Sequence, residues 1–144
     1  MAITIDVGYP KDVHGPDKAP IGQRLARIAL AQAYGRGGEF SGPLFQSAKT
    51  DGACMMVQFA HVGGGLVASD GGPLKCFEIS GEDKKFIPAD AKIEGDAVVV
   101  SNPQVSKPAA VRYAWLNVPV GCNLFNKGGL PAAPFRTDDP ENKH

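Results

Sequence analysis

The chain has 144 residues, 43% of them apolar and 21% charged, enough for a domain with its own hydrophobic core and too apolar for a disordered segment. Fifteen basic and fifteen acidic residues cancel, with no basic stripe for nucleic acid and no cationic amphipathic helix for a membrane surface. No apolar run reaches the length of a membrane span.

The first residues, Met1-Ala2-Ile3-Thr4-Ile5-Asp6, have neither the basic nor the long apolar segment of a signal peptide. Ile3 to Val7 alternates and is β-branched, which predicts a short strand. Gly8 to Ala19 holds Pro10, Gly15 and Pro16 and reads as a loop. This loop carries Asp12-Val13-His14, an imidazole with a nearby carboxylate just ahead of a helix. A serine hydrolase often presents its general base in such a place, although most loop histidines are simply exposed. In the helix that follows, Ile21, Leu25, Ile28, Ala29 and Gln32 lie along one side and Gln23, Arg24 and Arg27 on another. Asp17 is the expected N-cap, Pro20 falls in the first turn, and Gly35 stands at the expected C-terminal cap.

From Phe40 the period changes from helical to alternating. Gly42 to Ser47 reads as a strand, Asp51-Gly52 as a turn, and Cys54 to Phe59 as the return strand. Gly63-Gly64-Gly65 and Gly71-Gly72-Pro73 frame a loop. Lys75 to Ser80 alternates, and Gly81-Glu82-Asp83 turns the chain toward Lys85-Phe86-Ile87. The clearest hairpin is Ala91 to Ile93, Gly95-Asp96, then Ala97 to Val100. Ala109 to Trp115 is the last strong strand, with Val111, Tyr113 and Trp115 predicted on one side. Pro119 to Asp139 is rich in Pro, Gly and Asn and reads as an ordered loop pinned by Leu124, Phe125, Leu130 and Phe135.

The predicted fold is mainly β: an antiparallel β-sandwich or jelly-roll-like domain, preceded by a strand–loop–helix remnant of an α/β hydrolase domain. Residues 1–37 form the strand–loop–helix unit, 38–139 the β domain and 140–144 a disordered tail. A lone strand and helix cannot make a core. The apolar helix face of Leu25, Ile28 and Ala29 therefore needs cover, from the β part, from further chain or from a second copy in a homo-oligomer.

Cys54, Cys76 and Cys122 are widely spaced, and no C-x-x-C occurs. One disulfide with a free thiol fits, as do three thiols acting as small apolar residues, the commoner use. His14, His61 and His144 are scattered, so neither a metal site nor a cofactor is expected. The glycine runs lack the strand-to-helix setting of a phosphate loop.

The order of several motifs resembles the carboxyl end of bacterial sialate O-acetylesterase-like proteins, within the SGNH hydrolases. They are Met1 to Asp6, Asp12-Val13-His14, Gly22-Gln23-Arg24-Leu25-Ala26, Tyr34-Gly35, Ser41-Gly42-Pro43-Leu44, Gly71 to Lys75, Phe77-Glu78-Ile79 and Val111 to Trp115. The closing stretch from Asn123 to Lys127, Gly129 to Ala132 and Pro134 to Asp139 adds most to the match. The resemblance implies a Ser–His hydrolase that removes acetyl groups from sugars, either sialic acids or plant cell-wall glycans. Such proteins are usually periplasmic or secreted. It implies His14 as general base and Asp12 as the nearest orienting carboxylate, with Lys11 at the position where the helper Asp often lies. The Gly-Asp-Ser nucleophile block does not occur in the chain; in a parent protein it would precede Met1.

Flat aromatic faces suit sugar rings, so Trp115, Tyr113, Phe125 and Phe135, with Arg136, are the candidate carbohydrate contacts. Core packing is the commoner role of Tyr113 and Trp115. The expected partner is an acetylated sugar or polysaccharide. A non-catalytic carbohydrate-binding or scaffolding β module is the alternative reading.

Overall fold

Period-two alternation organises the chain from Leu44 onward, and the hairpins expected from it form. The structure, a computed structural model, describes residues 1–12, 15 and 17–138. His14 and the predicted tail lie outside the described residues. Among the described residues a single helix, α1 (Ala19–Gln32), precedes ten strands. These are β1 (Leu44–Asp51), β2 (Cys54–Ala60), β3 (Leu66–Ala68), β4 (Phe77–Ser80) and β5 (Ile87–Pro88). The rest are β6 (Asp90–Glu94), β7 (Ala97–Ser101), β8 (Ala110–Tyr113), β9 (Leu124–Asn126) and β10 (Phe135–Arg136).

One sheet has the order β1-β2-β7-β6 and the other β10-β8-β4-β5, with β3-β9 as a small third sheet. Every pairing is antiparallel. The two-residue connections at Gly52-Ala53 and Gly95-Asp96 reverse the chain with Gly52 at φ +57° and Gly95 at φ +61°, where a side chain would be strained.

Alternation also sets the core. Met55, Val57 and Phe59 of β2, with Val98 and Val100 of β7, join Phe77 and Ile79 of β4, Val111 and Tyr113 of β8 and Phe135 in one apolar cluster. Full burial of each such side chain contributes about 1.5–3 kcal/mol. The protein is thus a mainly antiparallel β fold with one helix.

Three expectations are corrected. Ile3 to Val7 is not a strand: Val7 N donates to Thr4 O at 3.2 Å in a turn. The cause is Arg24, expected on the polar side of α1 but buried instead, at 8% exposure. Its guanidinium donates to both oxygens of Asp6, each at 2.6 Å, and to Ile3 O at 2.7 Å. A side chain thus takes the backbone acceptor that a strand partner would have used. Bidentate pairing makes the buried charge tolerable, and α1 is turned so that Leu25 is 54% exposed.

Trp115 does not share a face with Tyr113. Ala114 takes φ +51°, which ends β8 and sends Trp115 outward. The stretch from Gly63 to Pro73 and the terminal segment contain strands after all: β3 pairs with β9, and β10 with β8. β3, β9 and β10 are only two or three residues long, too short for a periodic signal among glycines and prolines.

Of the two readings left open for the cysteines, the structure shows the disulfide with a free thiol. Cys76 and Cys122 form a disulfide with Cα atoms 5.3 Å apart, and Cys54 is free. The bridge closes a loop of sequence separation 46, for which chain entropy gives about 2–4 kcal/mol of stabilisation. Urea titration in reductant should lower the unfolding free energy by that amount; an unchanged midpoint would show that the bridge does not constrain the unfolded chain.

Candidate functional site

Two loops distant in sequence lie side by side, one from Thr4 to Asp12 and the other from Trp115 to Cys122. Between them is a hollow of about 510 Å³ lined by Thr4, Asp6, Tyr9, Ser69, Asn117 and Phe125, among others. A second hollow of about 430 Å³ lies against Trp115 and shares Ile5, Asn117 and Pro119 with the first. A third, of about 230 Å³, contains Asp12 and shares Thr4, Gly8 and Tyr9. The shared residues set the three hollows next to one another, and together they are called the trough, with Trp115 in one outer hollow and Asp12 in the other.

Each wall has a physical anchor. Asp6, held by Arg24, fixes the first loop, and Asp12 N donates to Tyr9 O at 3.3 Å to close the turn at its end. The second loop is pinned by the Cys76–Cys122 disulfide. Next to it, Asn123 donates to Asp70 at 2.7 Å and to Pro73 O at 2.9 Å, and accepts from Lys75 N at 2.9 Å. Hydrogen bonds from Lys75, then Asn123 and Gly72, hold the Asp70 carboxyl well below the usual carboxylate range. This cluster fixes Ser69, its neighbour in the chain, at the trough wall.

The predicted site residues divide. Asp12 lines one outer hollow of the trough and Trp115 the other, with Phe125 half-buried in the central one. Tyr113 is fully buried in the core, where its hydroxyl accepts from Leu124 N at 3.1 Å and burial pushes the phenol up to about 12. Phe135 is 6% exposed and stacks on Phe45 at 4.8 Å between ring centroids. Neither ring presents a face to solvent, because strand alternation turns both inward. Arg136 has its guanidinium carbon 5.3 Å from the Trp115 ring centroid and is paired with Asp138 at 2.6 Å.

Asp138 also accepts from Arg112, and that pairing, with help from Arg136, holds its carboxyl below the ordinary range despite some desolvation. Its contribution to stability is therefore complete above the unfolded Asp value, about 4, and is lost as pH falls through the depressed folded value. Thermal unfolding scanned from pH 5 to pH 2 should show a flatter acid-side decline for Asp138→Asn than for wild type; equal slopes would contradict the pairing.

Sequence reading missed Tyr9, Ser69 and Asn117 as trough residues. Tyr9, 61% exposed in a proline-containing loop close to Asp12, was the one with a readable signal. His61 sits at φ +57° and pairs with Glu39 at 2.9 Å. Among the described residues no His, Cys, Asp or Glu cluster suits a metal ion, and no helix is long and apolar enough to cross a membrane.

A mainly β fold with an open, aromatic-edged trough is the class of protein that these features define. No known family profile and no curated protein matches the chain. Among solved structures it is similar to a carbohydrate acetylesterase from Xanthomonas citri, with 42% sequence identity and a TM-score of 0.92. The likeness covers 95% of this chain and 32% of that one, so the chain spans about a third of the relative's length.

Proposed function

We propose that the chain is the carboxyl-terminal part of a carbohydrate O-acetylesterase. The observation that carries this reading is the solved relative, a carbohydrate acetylesterase alike over 95% of this chain at 42% identity. His14 acts as general base and Asp12 orients it. The serine nucleophile and the oxyanion donors come from chain outside these 144 residues, because no serine here has the Gly-Asp-Ser setting. Residues 1–37 close the α/β part of that hydrolase, and 38–139 form its β domain.

The chemistry is acyl transfer in two steps. His14 takes the serine proton as Oγ attacks the acetyl carbonyl, and returns it to the sugar oxygen as the ester C–O bond breaks. Water, activated by the same imidazole, then releases acetate from the acyl-serine. Oxyanion donors supply about 3–4 kcal/mol of the barrier reduction each. The disulfide fits the periplasmic or secreted setting of such enzymes, since these bonds persist in oxidising compartments.

The test is hydrolysis of p-nitrophenyl acetate and of acetylated sugars by a protein that carries this chain together with a Gly-Asp-Ser block. Acetate release supports the reading, and inertness toward both substrate types ends it. The second reading, a carbohydrate-binding or scaffolding β module without catalysis, draws on the trough and its exposed Trp115 and Tyr9. Sugar binding without ester cleavage would favour it.

A further inference from the structure

Asp6 and Arg24 stand 18 positions apart, and between them lies the loop that carries Asp12 and His14. Arg24 Nη1 donates to Ile3 O at 2.7 Å and to Asp6 Oδ1 at 2.6 Å, and Nη2 donates to Asp6 Oδ2 at 2.6 Å. The planar guanidinium presents its donors in a fixed fork. Three bonds to one short segment therefore set both its distance from α1 and its direction. The helix is a firm base for this fork. Ile21 and Ile28 share the side of Arg24 and are half-buried, and one turn on Arg27 donates to Gly128 O at 3.1 Å.

The apolar core does not place the loop itself, since residues 8–12 and 17–19 are exposed. The bonds from Asp12 N to Tyr9 O and from Ala19 N to Asp17 Oδ1, both 3.3 Å, each shape one limb. The two limbs enclose the hollow of about 230 Å³, with Val7, Tyr9 and Asp12 from one and Gly15, Asp17 and Lys18 from the other. Gly15, the residue after His14, lies against Val7 O, which an added Cβ would meet at 3.4 Å. Val7 follows Asp6 directly, so a shift of Asp6 is passed to the chain next to His14. A loop outside the core is placed by its polar ties. The three-bond fork stands at the neck of this one, shielded from water with Arg24 at 8% exposure.

We infer that Arg24 is a positioning residue for the proposed general base: by holding Asp6 and Ile3 O it fixes the neck of the loop that presents His14, and it acts through that loop rather than on the substrate. This role rests on the esterase reading, in which His14 must lie within hydrogen-bond reach of the serine. A displacement of about 1 Å costs on the order of 10²-fold in rate. A side chain outside the chemistry thus sets kcat through the placement of its neighbour. Arg24→Gln removes the fork and leaves Asp6, whose side chain is 21% exposed, able to take water in its place.

The test has two arms. The first is limited trypsin digestion of this chain, comparing cleavage at Lys11 and Lys18 in the loop with cleavage at Lys49 in β1. Arg24→Gln speeds cleavage at Lys11 and Lys18 about tenfold and leaves Lys49 at the wild-type rate, since local opening frees the loop alone. The second arm is hydrolysis of p-nitrophenyl acetate by a protein that carries this chain together with a Gly-Asp-Ser block. There Arg24→Gln lowers kcat on the order of 10- to 100-fold and keeps KM within about twofold. Arg24→Lys, which keeps the charge without the fork, recovers part of the loss. Gln23→Ala, an exposed neighbour on α1, changes neither cleavage nor kcat. Unchanged cleavage at Lys11 and Lys18, cleavage rising equally at Lys49, or an unchanged kcat in an active protein would overturn the inference. Faster loop cleavage in a protein whose wild type hydrolyses no ester ends the esterase reading, and the positioning role with it, and leaves only the clamp.

Discussion

Replacing His14 by Ala in a protein that joins this chain to its nucleophile block is expected to lower kcat for acetyl-ester hydrolysis by on the order of 10³–10⁵. The serine hydroxyl is almost wholly protonated at neutral pH, and in the proposed mechanism the imidazole takes its proton during attack. Without that base, only the oxyanion donors and substrate binding remain, which accounts for the residual rate. KM should change little, because the trough residues are untouched. Asp12→Ala should cost less than His14→Ala, since the base survives and only its orientation is lost. Steady-state kinetics on an acetylated oligosaccharide checks both; a loss under tenfold for His14→Ala would contradict its role.

Asn126→Ala should destabilise the fold by about 3 kcal/mol or more, as each stranded buried partner costs about 1–3 kcal/mol. Asn126 is fully buried at the end of β9. Its amide nitrogen donates to Ser41 O and His61 O, both at 3.0 Å, and its amide oxygen accepts from Leu130 N at 3.0 Å. One side chain thus ties together the entry to β1, the turn after β2 and the closing segment. A cavity adds to the loss. Asn126→Asp should fare no better: it keeps an acceptor for Leu130 but sets a carboxylate against two carbonyl oxygens. Urea unfolding measures both variants, and a loss under 1 kcal/mol for either would show that the network does not hold the loops.

The legible parts of the fold were those with local signals. β1 and β2 around Asp51-Gly52, and β6 and β7 around Gly95-Asp96, combine alternation with a two-residue glycine turn. Arg24 was not legible, because period 3.6 assigns a charge to the solvent face unless a partner such as Asp6, remote in sequence, is known. The pairing of Cys76 with Cys122 depends equally on distant loops meeting. β3, β9 and β10 are too short for a periodic signal. The trough joins residues near Thr4 to residues near Val120, and no window of sequence holds both. Asp12, Trp115 and Phe125 could be found by residue type, whereas Tyr113 and Phe135 share that type but point into the core. Only the sheet distinguishes a ring left open to solvent from a ring that packs on Phe45.

The proposed setting of this chain is inside a carbohydrate acetylesterase. Proton NMR of mono-O-acetylated xylotriose, incubated with the protein that carries this chain and a Gly-Asp-Ser block, tests it most directly. The predicted result is replacement of the ester methyl resonance by that of free acetate, abolished by His14→Ala. An ester signal that persists, or acetate released equally by the His14→Ala variant, would contradict it.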